Sequence, residues 1–230
     1  MGETVCRIIG KAIATALSND IQEAAGPLQV CAGQLSGCEA AVHAMHQVFQ
    51  SLSTEGMILV DACNAFNSLN WKTALRNILH LCPPLAKILI NTYRDNVQLF
   101  IDGDTLLLQE GTTQGDPLAM AMYAVAITPL IRSLEDQETK QVWFTDDATA
   151  GGCLTGLRKW WDLIVEREPA YGYYPNPAKT CLVVKEECTE MAKEVFRGTG
   201  ISITEEDKRH LGAAIGTEAL VESYVKHKSV

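Results

Sequence analysis

The sequence predicts an α+β protein, an antiparallel sheet with helices packed on one face. Apolar runs of strand length are joined in pairs by turn residues at 96–111 and 141–152, and stretches of helical spacing lie between them. The chain has 230 residues, 47% of them apolar and 20% charged, enough for one large core or two small lobes and inconsistent with bulk disorder. The net charge of -9 argues against broad phosphate binding by surface cations, so any nucleic-acid function must use local basic groups, a metal or a further segment.

The elements follow in order. RIIGKAIATAL (7–17) is helical in pattern and is expected to end near Asn19 and Asp20. SGCE (36–39) has the form of a capping box, with Ser36 as N-cap and Glu39 reaching back, and opens a helix over CEAAVHAMHQVFQSL. MILVDACNAF (57–66) reads as a buried strand running into a turn. Helices follow around Trp71 to Leu81 and Pro84 to Tyr93, separated at Pro83-Pro84. NVQLFIDGDTLLLQEG (96–111) is a hairpin around Asp102-Gly103.

Asp116 and Pro117 are placed as N-cap and first residue of a long apolar helix. Its 15-residue tract, Pro117 to Ile131, is short of the roughly 18 residues a membrane span needs, so a buried helix is expected and no membrane partner. QVWFTDDATAGG gives strand, turn and strand; TGLRKWWDLIVERE a helix; KTCLVVK a strand; EECTEMAKEVF a helix. The eight cysteines form no CxxC pair, and no secretory signal is visible, so an intracellular protein with reduced thiols is expected, nuclear or cytoplasmic rather than secreted. Cys38, His43 and His46 share a helix without a second ligand cluster nearby in sequence.

The chemistry concentrates in three carboxylates. Asp146 and Asp147 stand side by side after the apolar run Val142, Trp143, Phe144, and Asp61 ends the apolar run before it. At about 4 Å two like charges repel by roughly 1 kcal/mol in water and about 4 kcal/mol at an effective dielectric of 20. An exposed turn would explain the pair without further chemistry. Brought together on adjacent strands, however, the three form a hard oxygen site suited to Mg²⁺, as two-metal phosphoryl transfer requires.

LVDACNAFNSLN, EGTTQGDPLAMAMYA, VWFTDDATAGG, YPNPAKTCLVV and RHLGAAIG occur in the order and at roughly the separations of the palm motifs of reverse transcriptases. The chain most resembles those of non-LTR retrotransposons and group II introns, over about residues 1 to 228. The resemblance implies the right-hand palm fold of a polymerase with part of the fingers. Residues 56–66 and 116–215 would be palm core, 1–55 and 67–115 fingers and palm elements, and 216–230 the start of a thumb connection. It further implies an RNA template, a DNA primer and dNTP substrates, with two Mg²⁺ ions or Mn²⁺ in their place. Oligomeric state is not implied.

By the same resemblance Asp61, the Ala62 carbonyl and Asp146 would be metal ligands, with Asp147 beside them. Phe66 would be the steric gate against a ribose 2′-OH, where RNA-templated RNA polymerases usually carry a second Asp. Taken alone, Phe66 reads first as a core residue at a helix start. Gln114 and Gly115 would border the templating base and incoming nucleotide, although a plain helix-leading turn also accounts for Gly115 and Pro117. Lys179 would protonate departing pyrophosphate, with a solvated lysine as the alternative, and Leu211 and Gly212 would belong to the primer grip. GQLSGCEAA (33–41) departs from the family by carrying Cys38 and Glu39 where many relatives have a basic residue. Fingers strands and a thumb are expected beyond the two ends, which makes the chain a single partial domain. Impaired polymerase activity is then expected of it alone, or a catalytically silent palm remnant acting as a scaffold.

Overall fold

The structure is a computed structural model that describes residues 4–93, 97–101, 104–112, 115–205, 208–210 and 213–215. In chain order its elements are α1 (Thr4–Ala16), α2 (Ser18–Ala25), α3 (Gly37–Gln50), β1 (Gly56–Val60), the single turn α4 (Ala65–Ser68), α5 (Trp71–Leu81) and α6 (Pro83–Tyr93). There follow β2 (Val97–Ile101), β3 (Asp104–Leu108), α7 (Ala119–Ser133), β4 (Thr139–Phe144), β5 (Asp147–Gly152) and α8 (Leu154–Arg167). The last are β6 (Cys181–Val184), α9 (Thr189–Val195), β7 (Ser202–Thr204), β8 (Lys208–His210) and β9 (Ala213–Ile215). The mixture is α+β, as expected. No helix among the described residues is long and apolar enough to cross a membrane.

These elements form two compact units, Met1–Leu35 with Cys63–Ser133 and Arg167–Tyr174, and Ser36–Ala62 with Leu134–Glu166 and Pro175–Val230. The first is mainly helical. Its α7 is buried nearly all round, which is why its sequence is apolar on every face. Asn77 donates its side-chain amide to the Ala126 carbonyl (2.9 Å), and Arg132 reaches the Ala24 carbonyl (3.3 Å), so α5 and α2 are tied to α7. Gly10 lies against α7's leading turn: a Cβ there would stand 3.2 Å from the Pro117 ring.

Two helix boundaries differ from the sequence reading in this region. The chain breaks at Leu17 and resumes as α2 to Ala25, beyond the expected end near Asp20. Helix α7 begins at Ala119 because Asp116 spends its carboxylate on a turn, accepting from Leu118 N–H (2.8 Å) and the Tyr93 hydroxyl (3.3 Å). Pro117 therefore precedes the helix instead of opening it.

The second unit holds a five-stranded sheet in the order β4-β5-β1-β6-β7, antiparallel except for β6 with β7. The central strands β1 and β6 are buried at every position, and a strand covered on both faces needs the unbroken apolar runs MILV and CLVV. Strand β5 is built of small residues for a steric reason. A Cβ on Gly151 would stand 2.8 Å from the Val48 methyl of α3, and one on Gly152 2.5 Å from the carbonyl of Glu138, the residue before β4, so the helix and the connection leading into β4 crowd its surface.

Helix α3 starts without its expected cap. Ser36 takes the left-handed conformation (φ 52°), its side chain makes no capping hydrogen bond, and Gly37 is buried as the first helical residue. Beneath the β4–β5 hairpin the Gln141 side-chain oxygen accepts both indole N–H groups of Trp143 and Trp160, each at 3.0 Å. The two tryptophans are 0% and 2% exposed, and Gln141 is buried with them. A fully buried amide of this kind fixes the face of β4 that carries Trp143 inward.

Candidate active site

All three predicted carboxylates lie in the second unit at one end of the sheet. Strands β1 and β5 pair in the register Val60↔Ala148, so the next step along the strands sets Asp61 beside Asp147. Strands β4 and β5 close with Phe144↔Asp147, leaving Thr145 and Asp146 as a two-residue turn. Thr145, buried, has φ 60°, and it alone of the two has positive φ, at a position where glycine is usual. A β-branched residue there costs about 1–2 kcal/mol, held by the surrounding pairing, and the turn sets both aspartates at the sheet end.

The carboxylates interact electrostatically. Burial raises the Asp146 carboxyl above the usual range and the charge of Asp61 adds to it, against a backbone hydrogen bond that lowers it. Asp147 is pushed up to about 6, first by burial and then by Asp146 and Asp61. Cys38, in the first turn of α3, has its thiol raised by burial, then by Glu39 and then by Asp147, so the start of α3 lies within electrostatic reach of the group.

Lys179 supplies the nearby cation, its Nζ 3.7 Å from the Asp61 carboxylate. The side chains are 64% and 46% exposed, so the pair contributes no more than about 1 kcal/mol. Its geometry comes from the loop before β6. Asn176 donates its backbone N–H to the Asp61 carbonyl (2.8 Å), and Ala62 bridges to Pro175. The Asn176 carbonyl accepts from the backbone of Lys179 (3.1 Å) and Thr180 (2.8 Å) and from the Thr180 hydroxyl (2.8 Å). Asn176, to which the sequence reading gave no role of its own, thus anchors the lysine to the strand end that carries Asp61.

No group of three or more His, Cys, Asp or Glu side chains among the described residues is drawn together as a ready metal cage. The donor chemistry nonetheless suits a hard divalent cation: three acidic oxygen donors, two of them raised by burial and then by the charge of their neighbours. Phe66 and Gly115 belong to the first unit. Phe66 sits half-buried on α4. Gly115 is exposed with φ +84°, and a Cβ at that position would meet nothing within 4 Å. Gln114, Leu211 and Gly212 lie outside the described residues.

The raised Asp147 carboxyl gives a signed pH dependence. In the metal-free protein its contribution to stability is present below about pH 4 and is lost as pH rises through about 6, because folding there favours the protonated form. Asp147→Asn is expected to remove this loss. After allowance for solvent screening, the variant gains about 1–2 kcal/mol over the parent at pH 8 and little at pH 4. Thermal melts in EDTA at both pH values check it; an equal gain at the two would contradict the assignment.

Asp61, directly after β1, and the Asp146–Asp147 pair at the β4–β5 turn thus share one end of the sheet. The reverse transcriptase (RNA-dependent DNA polymerase) family matches over residues 2–210, and the chain belongs to that family of nucleotidyltransferases. Reverse transcriptases bind RNA templates and generally use divalent metals. Among solved structures, apo telomerase from Candida tropicalis superposes with TM-score 0.56 at 12% identity, over 80% of this chain and 37% of that one. The same telomerase truncated from its C-terminal domain gives 0.50 at 14% identity, over 80% and 40%. Candida albicans telomerase in complex with a TWJ fragment of telomeric RNA gives 0.52 at 12% identity, over 93% and 36%. At such identities the likeness is one of fold, and the chain spans less than half the length of each of these structures. No curated protein matches the chain by sequence.

Proposed function

We propose that the chain carries the catalytic centre of an RNA-directed DNA polymerase of a retroelement, of the non-LTR or group II intron type. The reaction adds a deoxynucleotide from dNTP to the 3′-OH of a DNA primer paired with an RNA template, in the nucleus or cytoplasm. The observation that carries the reading is the electrostatic coupling of Asp61, Asp146 and Asp147 at one sheet end, in a chain of this family.

In this reading Asp61, the Ala62 carbonyl and Asp146 would hold two Mg²⁺ ions, with Mn²⁺ as a substitute, and Asp147 would add negative charge beside them. When bound, the ions lower the cost of forming the attacking oxygen and offset the charge of the departing pyrophosphate. Lys179, kept near Asp61 by the Asn176 loop, supplies a proton to the leaving group. Phe66 is the apolar wall that leaves a ribose hydroxyl clashing or unpaired. Gln114 and Gly115 border the nucleotide and template, and Leu211 and Gly212 hold the primer.

Primer extension on an RNA template with and without Mg²⁺ tests the proposal, together with Mn²⁺ binding followed by electron paramagnetic resonance. Extension that requires the metal, weak in this chain alone and with dNTP preferred to rNTP, is expected. A chain that neither extends a primer nor binds Mn²⁺ would remove the reading.

A further inference from the structure

We infer that Tyr123 is a positioning residue that fixes how far the Phe66 ring stands forward, and with it the margin by which a deoxynucleotide is preferred to a ribonucleotide. The inference rests on the gate reading of Phe66 given above.

Phe66 occupies α4, a helix of one turn, and so short a helix has little stability of its own. Its backbone is held from outside: the Phe66 carbonyl accepts the N–H of Thr112 at 2.6 Å and the Thr112 hydroxyl at 3.4 Å. Those bonds fix the main chain and leave the side-chain torsions free. The ring is half-buried, and it lies against the Tyr123 ring with centroids 4.9 Å apart and planes inclined by 32°. A tilted aromatic contact at this spacing is favourable beyond the area it buries.

The two rings differ in their freedom. Tyr123 is 0% exposed, and Met122, Ala124, Val125, Ala126 and Ile127 around it on α7 are buried as completely. That stretch is also pinned through the Asn77 amide on the Ala126 carbonyl. A close-packed ring on a pinned helix does not retreat. Phe66, half-exposed on a single turn, moves unless something stands behind it. Exclusion of one hydroxyl depends on steep short-range repulsion, and a wall that recedes by about 1 Å gives most of it away. The rigidity of the gate thus comes from α7, and its contact residue is Tyr123.

The test compares efficiencies for dNTP and rNTP incorporation, and for displacement of a fluorescent dNTP analogue, in the parent, Tyr123→Leu, Tyr123→Met, Tyr123→Phe and Phe66→Ala chains. Thermal melts establish that each variant is folded, and the two apolar replacements at 123 guard against failure of either. Tyr123→Leu or Tyr123→Met is expected to raise relative ribonucleotide use about tenfold, while Tyr123→Phe, which keeps the ring, retains the parent ratio. Phe66→Ala raises it at least as much, and combining it with Tyr123→Leu adds nothing further, since both act on one wall. If Phe66→Ala shifts the ratio and the folded Tyr123 variants do not, Tyr123 has no such role. If Phe66→Ala is also silent, the gate reading falls with it, and a parent chain that neither extends nor binds dNTP removes the proposed function and this inference together.

Discussion

Asp146→Asn is expected to lower Mg²⁺-dependent primer extension by a factor on the order of 10³ or more. The substitution keeps the shape of the side chain and the two-residue turn, and changes a charge at the centre of the coupled carboxylates. The amide cannot offer two anionic oxygens to a hard cation. Stability moves the other way. Burial and Asp61 raise Asp146 in the metal-free protein, so removing its charge relieves a repulsion and also lowers the Asp147 carboxyl, for which Asp146 is the second cause of elevation. The expected signature is therefore a chain that melts at or above the parent temperature in EDTA, binds Mn²⁺ weakly and does not extend. Retained extension would refute Asp146 as a ligand, and lost extension with a lowered melting temperature would point to a damaged hairpin instead.

Gly172→Ala is expected to destabilise the first unit by more than about 4 kcal/mol, beyond what ordinary substitutions do. Gly172 has φ +72°, and a Cβ there would stand 1.8 Å from the Ser68 carbonyl oxygen and 2.8 Å from the Asn70 nitrogen. Both are backbone atoms, so no side chain can turn aside. The same junction joins chain segments distant in sequence, with Asn70 N–H donating to the Tyr171 carbonyl (3.0 Å) and the Ser68 hydroxyl to the Gly172 carbonyl (2.8 Å). Asn70 also caps α5 by accepting from Thr73 N–H at 3.0 Å. Gly198→Ala is the internal control: its φ is +81° but nothing lies within 4 Å, so it should cost only about 1–2 kcal/mol. Urea unfolding of the two variants checks the difference, and equal midpoints would mean that the close approach at Gly172 is absorbed by backbone movement.

Strands β1 and β6 and the helices α5, α6 and α8 were legible because burial dictates their periodicity over whole segments. The carboxylates were legible as residues closing apolar strands. What carries no local signal is the set of contacts made across the chain. Ser36 and Glu39 have the letters of a capping box, yet a left-handed residue at the helix start aims the serine elsewhere. Asp116 has the letters of an N-cap, but the Tyr93 hydroxyl and the Leu118 amide claim its carboxylate three residues before the helix begins at Ala119. Strand β7, three residues long and paired in parallel to β6, is too short for any pattern to show. Asn176, Gln141 and Tyr123 read as a motif residue ahead of a strand, a strand residue and a residue of an apolar helix. Their work depends on Asp61, Trp160 and Phe66, partners that sequence spacing does not identify.

The double acceptance by Gln141 bears on where this sequence tolerates changes of length. Side chains alternate along a strand, so one residue gained or lost within β4 turns Gln141 and Trp143 outward and strips both indoles of their shared oxygen. The exposed connection at Glu135 to Glu138, before the strand begins, imposes no such parity. Insertions belong there, at the end of the hairpin remote from the aspartates, and variants engineered with a peptide tag at that connection should keep the paired strands in step.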